Sequence, residues 1–233
     1  MDKTKIETLK KFGFEFLTIF VGIFAAFTLD NWNENRKDHH TEIKILYEIN
    51  RGLQQDMSDI DVNAAGHSAG LRAAVFFSQL ILNKRSNSDS IGYHYFNLLR
   101  DFISVQNISG YQTLKSKGLE IIQNDSLRTK ILSLYENDYN SLRKLEEEYA
   151  ELQFFQHYQH DFSQLMVPDF LLDTNGKVGG IRIPLNVTAA EKKILLIDLS
   201  RMAANRNFMI ATYTEVKSKI IKLQQQIDAE LKR

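Results

Sequence analysis

An apolar run, Phe12–Leu29, closes abruptly in Asp30-Asn31-Trp32-Asn33-Glu34-Asn35-Arg36-Lys37, and this junction constrains the chain more than any other feature. As a helix the run extends about 27 Å at about 1.5 Å per residue, close to the roughly 30 Å of a bilayer's hydrocarbon core. Trp32 falls where an interfacial aromatic belongs, ahead of a wholly polar flank. These residues predict a transmembrane anchor over 12–30, with a basic tail over 1–11 before it and a juxtamembrane segment over 31–40 after it. A cleaved leader fits less well. The run is longer than the usual apolar region of a signal peptide, and Ala25-Ala26-Phe27-Thr28-Leu29 offers no small-x-small site. Lys3, Lys5, Lys10 and Lys11 precede the run, whereas Arg36, Lys37 and Lys44 follow it. That slight bias predicts a single-pass protein of the cytoplasmic (inner) membrane, with a periplasmic C-terminal domain.

The remainder, 41–233, is long enough for one domain with a sizeable core. Lys+Arg and Asp+Glu are both 29, so no basic excess draws nucleic acid by counterion release, and none is expected as a partner. The absence of cysteine excludes disulfides, thiolate zinc sites and cysteine nucleophiles. Both prolines, Pro168 and Pro184, lie in one short segment, and the rest is rich in helix-favouring residues. Ile43, Leu46, Asn50, Leu53, Met57, Ile60, Ala64, His67, Leu71 and Ala74 step alternately by three and four, a heptad seam within a helix over 36–84. A loop is expected over 83–90, then a shorter helix through Phe102 and another over 111–123. Asp125 is placed to cap a long helix over 126–165. Asn175-Gly176 between short apolar runs signals a type I′ hairpin within an insert at 168–187. Thr188-Ala-Ala-Glu191 is a capping box opening a last helix that runs nearly to the end, with a kink near 203–207. The expected fold is all-α: an N-terminal transmembrane helix, then an elongated antiparallel helical bundle with a small hairpin or loop insert.

Glu15, seven residues before Gly22-Ile23, then Asn31-Trp32-Asn33-Glu34, resembles the anchor of an uncharacterised family of small single-pass membrane proteins common in Bacteroidota. Tyr111-Gln-Thr-Leu-Lys-Ser-Lys-Gly118, followed by Asn124-Asp-Ser-Leu-Arg128, is similar to a second stretch of the same family. The two blocks cover about a quarter of the chain. The resemblance implies a one-pass bacterial membrane protein with a helical domain and supplies no activity.

Candidate chemistry is sparse. Gly66-His67-Ser68-Ala69-Gly70 fits the Gly-x-Ser-x-Gly pattern of a nucleophile elbow, but its preceding residues continue a heptad where the elbow needs a strand. The plainer reading is that the small residues admit a neighbouring helix, or mark a local break. His157, His160 and Asp161 share neighbouring helical positions and form a weak metal pattern, set against a solvated helix end. His39-His40 with Asp38 and Glu42 is weaker still. No histidine has Glu three residues before it, which removes the di-iron bundle pattern. Glu15 and Trp32 mark the membrane interface. Gly22 and Ala26 form a small-x-x-x-small pair suited to packing two anchors. Tyr111, Lys115, Gly118, Asn124 and Arg128 are the expected inter-helix corner. No cofactor is expected. The residues point first to a non-enzymatic interaction or scaffold module of the envelope, binding a second copy or another envelope protein. A ligand-binding sensory bundle, with a pocket of Tyr93, Tyr95, Phe96, Phe102 and Tyr111, is the alternative, and a metal-dependent enzyme the remote one.

Overall fold

The computed structural model describes residues 3–85 and 90–232, with side chains from Phe12 onward. The loop expected at 83–90 and the basic side chains of the N-terminal tail therefore fall partly or wholly outside the described residues. The fold is all-α. A single helix α1 (Lys3–Ile81) runs from the apolar segment into the bundle core without a break. At about 1.5 Å per residue it is about 118 Å long. From Phe12 to Leu29 it buries nothing, and it is the one helix among the described residues long and apolar enough to cross a membrane. Residues 31–41 then form an exposed or half-buried stalk of about 16 Å before Glu42, the first buried residue.

Beyond the stalk α1 packs antiparallel to α7 (Ala189–Glu230). The pairing is marked by Asn50 with Asp228, Asp61 with Lys217 and His67 with Arg206. The capping box at Thr188 and Glu191 starts α7, which continues through 203–207 as unbroken helix. Its buried residues are Leu195, Leu199, Met202, Arg206, Met209, Tyr213, Val216, Ile220, Leu223 and Ile227, a strict alternation of four and three.

On α1 the buried line is displaced from the expected seam. Leu46, Leu53, Ile60, His67 and Ala74 are buried, but their partners are Glu42, Ile49, Asp56, Asn63, Gly70 and Phe77. Ile43, Asn50, Met57, Ala64 and Leu71 are only half-buried. Hydrophobicity misdirects here because polar and small residues occupy the inner line. Those residues meet α2 (Ile91–Leu99), α3 (Ser109–Lys117) and the extended segment 100–108 between them.

The helix expected over 126–165 is divided. α4 (Asp125–Leu132) passes through a π-helical turn, Ser133–Asp138, into α5 (Tyr139–Glu147). The chain is extended at Tyr149 and resumes as α6 (Phe154–Met166). Asp101 stabilises that break by accepting hydrogen bonds from the Phe154 and Phe155 amides, at 2.6 and 3.4 Å. The insert is a hairpin of β1 (Phe170–Leu172) and β2 (Val178–Ile181). Its loop is longer than a type I′ turn, with Gly176 at φ 76° and the Asp173 carboxylate accepting from the Asn175 and Lys177 amides. Only Gly176 takes positive φ in that loop, whereas type I′ requires two such residues.

Gly110 lets α3 lie against the α1 backbone: a Cβ there would stand 2.7 Å from the Ile49 amide nitrogen. Gly110→Ala is expected to lower stability by about 1–3 kcal/mol, outweighing the roughly 1 kcal/mol gained in helix propensity. Denaturant unfolding of the full chain, with the exposed Gln112→Ala as reference, measures the difference.

Candidate functional site

The half of the bundle far from the apolar span is organised by a buried cation. Arg206, at a seam position of α7, has no solvent exposure. Its Nη2 donates to the carbonyls of Leu98 at 3.0 Å and Arg100 at 2.8 Å, with Asn97 at 3.4 Å. These are orphan acceptors at the C-terminal end of α2, where a positive charge is favoured. Nη1 lies 3.2 Å from His67 Nδ1, and the guanidinium carbon sits 3.5 Å from the Phe154 ring centroid. Burial pushes the Arg206 guanidinium down to about 9, against Asp101 and Tyr213, and it stays charged at neutral pH. His67 is pushed down to about 3 by burial and by the Arg206 charge, so its imidazole is neutral and Nδ1 accepts the Arg206 proton.

This arrangement explains Gly66-His67-Ser68-Ala69-Gly70. The motif lies inside α1, with no strand before it. A Cβ on Gly66 would overlap the Phe102 ring, and one on Gly70 would lie 2.5 Å from Arg206 Nε. Ser68 Oγ donates to the Ala64 carbonyl at 2.9 Å. The glycines are the notch through which Phe102 and Arg206 reach His67.

A second polar layer holds the extended segment. Asp56 accepts from the Asn107 amide and from Tyr139 Oη, both at 2.6 Å. Asp59 accepts from the Val105 amide at 2.8 Å. Glu146 Oε1 accepts from the Ser104 amide, Ser104 Oγ and Tyr213 Oη. Burial raises Asp56, Glu146 and Asp101 above the ordinary carboxylate range, and the hydrogen bonds they receive oppose that rise.

The corner residues sit at the end of the bundle nearer the apolar span. Tyr111 stacks on Tyr135 with centroids 4.5 Å apart, and its hydroxyl donates to Glu136 at 2.6 Å. Lys115 reaches the same Glu136 oxygen at 2.9 Å. Gly118 ends α3 at φ 102°. Asn124 caps α4 and reaches Glu230 of α7, while Arg128 joins the Ile122 carbonyl, Asp125 and Glu120. Their polar groups are turned on one another and on α7.

Glu15 and Trp32 are exposed on α1, with Arg36 stacked over the Trp32 ring at 5.9 Å. His157, His160 and Asp161 are exposed on α6, and no group of three His, Cys, Asp or Glu among the described residues could hold a metal ion. The five expected pocket residues separate. Phe102 is packed against Gly66 and His67, Tyr111 lies at the opposite end of the bundle, and Tyr93 is outside the distal cavity. Tyr95 and Phe96 do line that cavity, with Leu99, Arg100, Asp101, Phe155 and Gln159; its volume is about 540 Å³. Arg206, Asp56, Glu146, Asp101, Arg100 and Phe155 share no sequence motif and are drawn into these clusters only by the fold. For Arg206 a signal was present: the three-four stepping of α7 passes through it. Comparison with family models, with curated proteins and with solved structures gives no match.

Arg206→Met is expected to cost about 3–5 kcal/mol, because it strands the α2 carbonyls and the His67 acceptor, and Arg206→Lys restores little of it. Denaturant unfolding checks both. The His67 value is lower folded than unfolded, so the unfolded chain gains the proton first as pH falls. Stability present above about pH 6.5 is then lost progressively between 6.5 and about 3. Unfolding of His67→Gln across that range should lack this part of the slope. The buried carboxylates, whose values are raised, contribute the opposite slope in both proteins.

Proposed function

We propose that the chain is a single-pass protein of the bacterial cytoplasmic membrane whose helical bundle stands in the periplasm as a non-enzymatic interaction or scaffold module. The observation that carries this reading is the continuity of α1, which joins the exposed apolar span to the bundle core through a helical stalk with no flexible linker. A bundle held in that way keeps one orientation and one height above the membrane, which favours a fixed contact with a second copy or another envelope protein. The anchor and corner motifs that resemble the Bacteroidota family support the same reading. The distal cavity supports a second one, in which the bundle also takes a ligand.

Cysteine is absent from the chain, so single engineered thiols report topology and contact directly. Ser116→Cys, exposed near the base of the bundle, should react with a membrane-impermeant maleimide in intact spheroplasts. A bifunctional crosslinker from the same thiol should give one discrete adduct, a homodimer or a single envelope protein. Labelling only after lysis would overturn the periplasmic placement, and the absence of any adduct would overturn the interaction reading.

A further inference from the structure

The distal cavity lies between the last turn of α2 and the first turns of α6, at the end of the bundle far from the apolar span. Its two walls are large aromatic side chains left out of the core. Phe96 and Phe155 are each 58% exposed, although Leu99 beside them is buried. The floor is fixed: Tyr95 Oη is bonded to Ser163 Oγ at 2.9 Å, and its ring packs edge-on against Phe170 at 5.0 Å. At about 540 Å³ the cavity has the size and apolar lining of a small-molecule site.

Its charges select the ligand. The Arg100 side chain is exposed and makes no ion pair among the described residues; its guanidinium lies over Phe96 at 5.1 Å and Phe102 at 5.4 Å. Lying over two rings, it offers the forked donors that a carboxylate matches with two hydrogen bonds. The one carboxylate in the lining, Asp101, is engaged with the two α6 amides. The rim thus offers an exposed cation and a half-buried carboxylate whose Oδ1 is already bonded.

We propose that this cleft binds a small apolar carboxylate, an aromatic or branched acid whose apolar part lies between Phe96 and Phe155 and whose carboxylate pairs with Arg100. The site is independent of what the rest of the bundle surface holds. Behind the cleft, Arg206 bonds the Arg100 carbonyl and stacks on Phe154, the neighbour of Phe155 in the chain.

The test uses the full chain in lipid nanodiscs, with empty nanodiscs as blank, and follows the ¹⁹F resonance of 4-fluorophenylacetate. The expected result is saturable broadening that the blank lacks. Affinity should fall about tenfold or more in Arg100→Gln, the worth of one charge-assisted pair, and less in Arg100→Lys. Phe155→Ala should weaken binding as well, which places the probe in this cleft. The neutral 4-fluorophenylacetamide and the cationic 4-fluorophenethylamine should bind at least about tenfold more weakly than the acid. All substituted side chains are exposed, and thermal unfolding verifies that each variant is folded. No saturable broadening, unchanged affinity in Arg100→Gln or in Phe155→Ala, or an amine that binds as tightly as the acid would each overturn the proposal.

Discussion

A guanidinium buried in the seam of a helical bundle is costly unless its donors find acceptors, and Arg206 meets most of that cost by ending α2 with Nη2 and reaching His67 with Nη1, while its Nε stays without a partner. Its bonds to the Leu98 and Arg100 carbonyls stop one helix, its stacking on Phe154 locates the start of another, and its contact with His67 sets both against α1. Three elements distant in sequence thus share one side chain. The neighbouring glycines follow from the same requirement. Gly70 makes room for the guanidinium and Gly66 for the Phe102 ring, so a motif that resembles catalytic machinery is the packing complement of a buried cation.

The carboxylate layer below Arg206 solves a related problem. Segment 100–108 crosses the bundle without helix or sheet partners, so its amides need acceptors from elsewhere. Asp56, Asp59 and Glu146 supply them from two helices, and Tyr139 and Tyr213 donate back to the buried oxygens. The result is a bundle whose distal half is held by specific polar geometry and whose two long helices are joined by an apolar seam. The same α1 continues through the stalk into the apolar span.

Legibility in the sequence followed the origin of each constraint. The apolar span, the α7 capping box and the hairpin location depend on residues close together in the chain, and each could be read there. The seam of α1 was read one line off, because Asp56, Asn63 and Gly70 look unlike core residues until the segment they contact is in place. The division of the 126–165 helix was illegible for a similar reason. No glycine or proline marks it; α6 starts where Asp101, 53 residues earlier, supplies the cap. Tyr95 and Phe96 were legible as aromatic candidates, but Arg100 and Phe155 joined them only through the meeting of α2 and α6.

By itself, then, the sequence determined an all-α chain with one span-length apolar helix, no cysteine chemistry and a long C-terminal helix opened by a capping box. Those properties arise from local periodicity, side-chain volume and composition, which act before any distant contact forms. The tertiary structure alone decided which polar residues are buried, where the middle helix breaks and which side chains line the distal cleft. Each of these depends on satisfying a hydrogen bond or a charge across long sequence separations. Such a need exists only once the partners are brought together and water is excluded.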